Sequence, residues 1–438
     1  MRFLPGIIGL VLLAMSCQQP MVESTAEPVA ELTLSEGESA GEAVIPTNPL
    51  APEPIQIALS DLPAPYASDS ASQPPNVIEP PPEATLNVPE GFTVNVFAEG
   101  LDQPRWLALT PDGDVLVTET RQNRIQRLSD SDGDGVAEVN TVFATASNGL
   151  DIPFGMAFAD GAFFLGNTDE VRRFAFADGQ AALEGKGDRI AELPGGGYNQ
   201  HWTRNVVVSP EGDRLFVSIG SKSNASEEPL PRASVQTLGL NGEDMQTYAS
   251  GLRNPVGLDF NPATGELYAT VNERDGLGDD LVPDYLTQVE QDAFYGWPYA
   301  YLSPNNLDPR QVVDGKSKAP ELVEEVRSPD VLFQAHSAAL GLQFYDGNTF
   351  PERYQNGAFV AFRGSWNRSA GTGYKIVFVP FEDGRPTGVY EDFLTGFLTD
   401  PSGPTTWGRP VGLLAMPDGS LLITEEANGR IYRVQFTG

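Results

Sequence analysis

The chain reads as an all-β protein, a six-bladed β-propeller preceded by a disordered, acidic, Pro-rich tether. Three observations predict this. First, six segments repeat an apolar strand, a tight turn with Asp, Asn or Gly, and a second apolar or alternating strand. They are PRWLALTPDGDVLVTE (104–119), IPFGMAFADGAFFLGN (152–167), HWTRNVVVSPEGDRLFVSIG (201–220), NPVGLDFNPATGELYATVN (254–272), HSAALGLQFYDG (336–347) and PVGLLAMPDGSLLITE (410–425). Such pairs are β-hairpins. Asp112 to Glu119, Asp160 to Asn167 and Asp418 to Glu425 are each seven residues apart, so turn and strand end keep a common register. Second, residues 86–438 give each unit about 59 residues, the size of a four-stranded blade with its loops, with an insertion in the fifth unit. Third, hardly any stretch after residue 90 has a useful helical period. Two separate β domains are the competing reading, but no linker-like segment interrupts residues 90–438.

In chain order, residues 1–17 read MRFLPGIIGLVLLAMSC. Arg2 precedes an apolar run from Phe3 to Met15, too short for a stable membrane span and suited to an export signal. The single cysteine, Cys17, ends the segment behind Ala14, Met15 and Ser16. This resembles a bacterial lipoprotein signal, which implies lipid anchoring at Cys17 and an exported, periplasmic or cell-envelope location. An ordinary signal peptide with an incidental cysteine is the other reading. With no second thiol, disulfides and Cys-based zinc sites are excluded.

Residues 18–85 hold thirteen prolines and eleven Asp or Glu, with no Lys or Arg. So little apolar area cannot offset the entropy of ordering, and proline and self-repulsion extend the chain, so a linker is expected. Residues 86–438 are the expected propeller, its ring closed by FTVNVFAE near the start pairing beside RIYRVQF at the end.

The net charge is −33, and residues 86–438 alone carry −23. Such a field repels nucleic acid and anionic lipid headgroups, so contact with a membrane is expected through the lipid anchor alone.

A propeller gathers the starts of its inner strands around one mouth of a central channel. Arg105, His201, Arg253, Asn254, His336 and Arg409 stand at those starts and are expected to converge. His201 is one of two histidines in the chain and follows three glycines, with Trp202 beside it. An imidazole accepts a proton near neutral pH, which makes His201 the leading candidate base. No serine near it stands in a nucleophile-elbow sequence. Arg253 brings a planar permanent charge, and Asn254 a donor and an acceptor. The stretch VNERDGLGDDLVPDYL (271–286) sets Glu273, Asp275, Asp279, Asp280 and Asp284 on a glycine-bearing loop, suited to Ca²⁺ or equally to plain solvation. In DSDGDGVAE, Asp130, Asp132, Asp134, Gly135 and Glu138 follow the front half of an EF-hand loop, but Thr141 stands at position twelve; a metal-free turn is the alternative.

The segments HWTRNVVVSPEGDRLFVSIGS, GLRNPVGLDFNPATGELY, NERDGLGDD, FYGWP, HSAALGLQFYDG and GAFVAFRGSWNR, in this order and with matching gaps, are similar to the glucose/sorbosone dehydrogenase family. Its members are soluble-type quinoproteins, six-bladed propellers that use pyrroloquinoline quinone (PQQ) and calcium. The resemblance covers about residues 88–437. It implies oxidation of an aldose or sorbosone-like sugar at the anomeric or aldehyde carbon, with hydride passing to PQQ and electrons then leaving to an external acceptor. It implies His201 as general base, Arg253 stabilising charge on the quinone oxygen, and Asn254 holding the cofactor. Arg363, Arg368 and Lys375 are offered to the cofactor carboxylates. Calcium falls to the backbone carbonyls of Glu273 and Arg274, where better-known members carry Gly-Pro. His336 has no secure counterpart. Two other functions fit the architecture: a metal-dependent sugar lactonase using Glu119 and Glu425, and a non-catalytic carbohydrate-binding propeller.

Overall fold

The structure, a computed structural model, describes residues 44–196 and 201–438. The expected signal peptide with Cys17, residues 18–43 of the expected tether, and residues 197–200 before His201 lie outside the described residues.

Each of the six repeats is the inner hairpin of an antiparallel sheet. Five sheets have four strands and the sixth has five. The first runs outward through Leu107–Leu109, Val115–Glu119, Arg124–Ser129 and Val139–Ala144. The innermost strands are Leu107–Leu109, Met156–Ala159, Val206–Val208, Pro255–Phe260, Ala339–Phe344 and Pro410–Ala415. They touch one another in that order, and the last touches the first. In the sixth sheet Phe92–Ala98 pairs with Arg430–Phe436, so both ends of this body meet in one sheet, as expected.

Local chemistry explains the hairpins. Asp160 and Gly161 both have positive φ (47° and 64°), which suits the two-residue turn between Met156–Ala159 and Ala162–Gly166. Second strands such as Val115–Glu119, Ala162–Gly166 and Leu421–Glu425 are buried throughout, because neighbouring sheets cover both faces. That is why they read as apolar runs and not as alternation. The outermost strand Val139–Ala144 is mostly exposed and carries Asn140 and Thr141.

Inner strands approach too closely for a side chain at certain points. A Cβ on Gly257 would stand 2.4 Å from the Leu340 carbonyl oxygen, and one on Gly412 would stand 2.2 Å from that of Arg105. The hydroxyls of Thr270 and Thr424 accept from the N–H of these glycines (2.9 and 2.7 Å) and donate to the same carbonyls of the next sheet, both at 2.7 Å. Neighbouring sheets are thereby stitched together around the centre.

Two expectations change. The insertion belongs to the fourth sheet, where residues 289–330 separate Tyr285–Gln288 from Val331–Leu332, and not to the fifth unit. Residues 44–85, expected as a free linker, lie against the sheets. Val44–Ile45 extends the sixth sheet, Thr47–Leu50 pairs in parallel with Leu86–Pro89, and Asn76–Val77 pairs with Thr405–Thr406. Ile55 exchanges backbone hydrogen bonds with Tyr390, Tyr66 N–H donates to the Leu277 carbonyl, and Gln73 N–H to that of Trp366. Proline keeps this segment extended, and its remaining N–H and C=O groups pair with edges that the body already offers. Its sparse apolar residues, among them Ile45, Ile55, Ile57, Leu62 and Ile78, pack on existing core clusters. Composition registers the low apolar content but not a pre-formed surface that makes it sufficient.

Candidate active site

A cavity of about 330 Å³ opens where the segments before the inner strands converge, at the small end of the range of about 300–1,000 Å³ for small-molecule sites. Arg105, His201, Arg253, Asn254 and His336 all line it, together with Glu273, Arg363 and the flat side chains of Trp202 and Trp366.

His201 is buried. Its Nδ1 lies 2.9 Å from the Ser221 carbonyl oxygen and 3.0 Å from Ser221 Oγ, whose own proton goes to the Ser223 carbonyl at 2.6 Å. A carbonyl can only accept, so Nδ1 carries the proton and the neutral ring has its lone pair on Nε2. Burial, followed by the charge of Arg253, holds this imidazole well below 6.5. His201 is therefore neutral in the neutral range.

All five N–H directions of Arg253 are taken. Nε donates to the Asn224 carbonyl (3.1 Å), Nη1 to those of Glu273 (2.6 Å) and Asn272 (3.4 Å), and Nη2 to Asn224 Oδ1 (2.9 Å) and Asp275 Oδ2 (3.1 Å). Asp275 Oδ1 accepts from Asn367 Nδ2 (2.7 Å), which also reaches His336 Nδ1 at 3.1 Å. His336 Nε2–H donates to the Gly278 carbonyl at 3.0 Å. The second histidine thus anchors a wall through both ring nitrogens.

At the opposite wall the Glu426 carboxylate binds Arg105 and Arg363, with Arg409 3.8 Å away. Burial alone would raise this carboxyl, but Arg363, Arg105 and Arg409 overcome it and bring Glu426 down to about 2. Three guanidiniums around one carboxylate leave surplus positive charge in a chain of net charge −33. Burial brings Arg105 and Arg409 down to about 10, which leaves both cationic at neutral pH. The Arg105 guanidinium lies 4.9 Å from the centre of the Trp202 ring. Between the walls, Asp284 is pushed up to about 7 by burial, although its oxygens accept the N–H groups of Glu273 and Ala338, each at 2.8 Å. Asn254 Oδ1 is buried without a hydrogen-bond partner.

Other expected site residues lie elsewhere. Arg368 binds the Asp279 carbonyl and Asp280, and Lys375 pairs with Asp392; neither lines the cavity. The Arg274 side chain is fully buried among Glu273, Asp308 and the carbonyls of Pro298 and Ala300. Glu119 and Glu425 are both fully buried and turned to local work, Glu119 on Arg124 and the Asp102 N–H, Glu425 on three backbone N–H groups. They do not reach the cavity, so the pair offered for a lactonase is not part of it. The carboxylates of Asp130, Asp132, Asp134 and Glu138 gather within 4.8 Å of one another, and Asp130, Asp132, Asp134 and Glu138 accept their own loop's N–H groups.

Sequence reasoning missed Glu426, Arg121, Trp366 and Asn367. For Glu426 a signal existed: the repeat aligns Glu425 with Glu119, and the following position is Thr120 in one unit but Glu426 in the other.

A family model described as TrAA12-like matches residues 86–293 and 290–437. An uncharacterized protein of Borreliella burgdorferi is 31% identical over 364 residues, 81% of this chain and 91% of that protein. A pyrroloquinoline quinone-dependent pyranose dehydrogenase of Coprinopsis cinerea is 24% identical over 416 residues, 81% of this chain. The match spans 55% of that enzyme's length. The solved structure of a Trichoderma reesei carbohydrate-active enzyme of family AA12 superposes with a TM-score of 0.68 at 21% identity, covering 82% of this chain and 99% of that one. At that identity the likeness is one of fold.

Proposed function

The chain belongs to the TrAA12-like family of PQQ sugar dehydrogenases, and from that premise we propose that it is a PQQ-dependent oxidoreductase acting on an aldose or sorbosone-like sugar at its anomeric or aldehyde carbon. In this reading the six sheets are the blades of one six-bladed propeller, and residues 1–17 export the chain, with Cys17 as its lipid anchor. Reduced cofactor passes its electrons to an external acceptor.

The residues fit a flat, multiply anionic quinone. Arg105 and Arg363 bring surplus positive charge, Trp202 and Trp366 provide flat walls, and Asn254 Oδ1 faces burial with no partner. When bound, the quinone supplies the two-electron oxidant that takes hydride from the sugar carbon. His201 takes the hydroxyl proton at Nε2, while its Nδ1–H bond to Ser221 fixes tautomer and ring plane. Burial, and after it the charge of Arg253, keeps the ring neutral before the proton arrives, and that charge favours negative charge developing in the cavity. Expected cofactor contacts from Arg368 and Lys375 give way to Arg105 and Arg363. Of the two backbone carbonyls assigned to calcium, that of Glu273 does not fit a divalent ion in this arrangement, because it accepts the Arg253 guanidinium at 2.6 Å.

The observation that carries this reading is the neutral His201 sharing one cavity with Arg253 and an arginine-rich wall. Purified protein given PQQ, with and without Ca²⁺, is expected to reduce an acceptor dye with members of an aldose panel. Loss of about 10²–10⁴-fold in His201→Ala is expected of a missing general base. Turnover undiminished in that variant removes His201 from the role.

A further inference from the structure

We propose that Arg274 and Asp308 are positioning residues: with Arg310 they let the insertion of the fourth sheet brace residues 272–275 from behind, and that segment aims Arg253 into the cavity. The inference rests on the quinone reading above and concerns what orients its guanidinium.

The segment 272–275 supplies three of the groups that hold Arg253: the carbonyls of Asn272 and Glu273 and the carboxylate of Asp275. Asp284, Asn224 and Asn367 hold this segment from the cavity side, and the insertion supports it from the other. Arg274 turns its side chain away from the cavity, and its guanidinium donates to Asp308 Oδ2 (3.2 Å) and to the carbonyls of Pro298 (3.2 Å) and Ala300 (2.9 Å). It also closes on Glu273 Oε2 at 2.8 Å. Asp308 in turn takes Arg310 through Nε (2.9 Å) and Nη2 (2.7 Å). Arg310 Nη1 then reaches back to the carbonyl of Asp275 at 2.9 Å. Two successive residues of the wall are therefore gripped from one acidic side chain of residues 289–330.

Stability is a poor reason for this arrangement. The side chains of Glu273, Arg274 and Asp308 are all fully buried. A buried ion pair of this kind is often no more stabilising than apolar side chains of the same volume. What charges supply and methyl groups do not is direction. A forked guanidinium with four acceptors fixes the course of the backbone at 274, and hence which way the carbonyls of 272 and 273 point. Arg253 is nearly fully buried, and its charge acts on His201 from that place.

The test compares Arg274→Met with the double variant Arg274→Met/Asp308→Leu, in which an apolar pair replaces the ionic one. The chain has two histidines, so ring NMR of labelled protein shows one titrating signal from each, with no cofactor present. The His201 ring faces Arg253, Arg204 and Arg232. If 272–275 aims Arg253, the His201 midpoint rises toward 6.5 in both variants, including the double variant with restored thermal stability. PQQ affinity, followed by quenching of Trp fluorescence, weakens, and kcat falls about tenfold to a hundredfold with a smaller change in sugar KM, the size expected for a misplacement near 1 Å. Arg274→Lys keeps the charge without the fork and is expected not to rescue either readout. An unchanged His201 titration in the double variant overturns the proposal. A wild type that binds no PQQ overturns the quinone reading instead, and the titration still decides the positioning role.

Discussion

Replacing Glu426 by Gln tests the electrostatics of the site most directly. The Glu426 carboxyl falls from 4.5 to about 2, because Arg363, Arg105 and Arg409 outweigh its burial. At about 1.36 kcal/mol per pKa unit, that drop is worth about 3 kcal/mol of folding stability. The folded value lies below the unfolded one, so the contribution is complete above pH ~4.5 and disappears as pH falls toward ~2. Glu426→Gln cannot follow that curve. It leaves three guanidiniums facing one another at every pH, a loss of about 3–5 kcal/mol for a buried pair broken on one side. Urea unfolding of cofactor-free wild type and variant at pH 7, 5 and 3.5 reads the difference. The gap is expected to be largest and constant between pH 7 and 5, then to narrow clearly at 3.5. A gap of the same size at all three values refutes the claim that ionised Glu426 neutralises the arginine wall.

Three further outcomes follow from the same geometry. Because His201 is held well below 6.5, the acid limb of kcat/KM for the free enzyme should lie below pH 6.5, and a limb at or above that value contradicts the buried, Arg253-facing ring. Asp284, raised from 3.8 to about 7, contributes stability that is complete below ~3.8 and lost as pH rises through ~7, so the thermal stability of Asp284→Asn relative to wild type should rise as pH climbs from 5 to 8. Gly257→Ala puts a methyl 2.4 Å from the Leu340 carbonyl and should cost about 1–3 kcal/mol in urea unfolding; a neutral result means the inner strands separate easily.

The resemblance to quinoprotein sugar dehydrogenases was legible because hairpins are local. Turn residues at fixed offsets and apolar runs between them mark each inner pair, and strand starts then name Arg105, His201, Arg253 and His336 as neighbours. Arg368, in FRGSWNR, and Lys375, just beyond it, were misplaced because nearness in sequence does not say which side a side chain takes; Asp280 and Asp392 claim them. Residues 44–85 were misread for a related reason. Their proline and acid content describes a chain in water, whereas their hydrogen-bond partners lie on strands and loops up to several hundred positions away.

Taken alone, the amino-acid order determined the all-β class, the six hairpins, the closing pair at the two ends of the body, and an imidazole and a guanidinium at strand entrances. Tertiary structure alone decided which charges meet. Arg105 and Glu426 stand 321 positions apart, and Arg274 finds Asp308 inside the insertion. Such pairings follow from the register and tilt of neighbouring sheets, which burial of their shared faces selects. Short-range patterns carry no information about that choice.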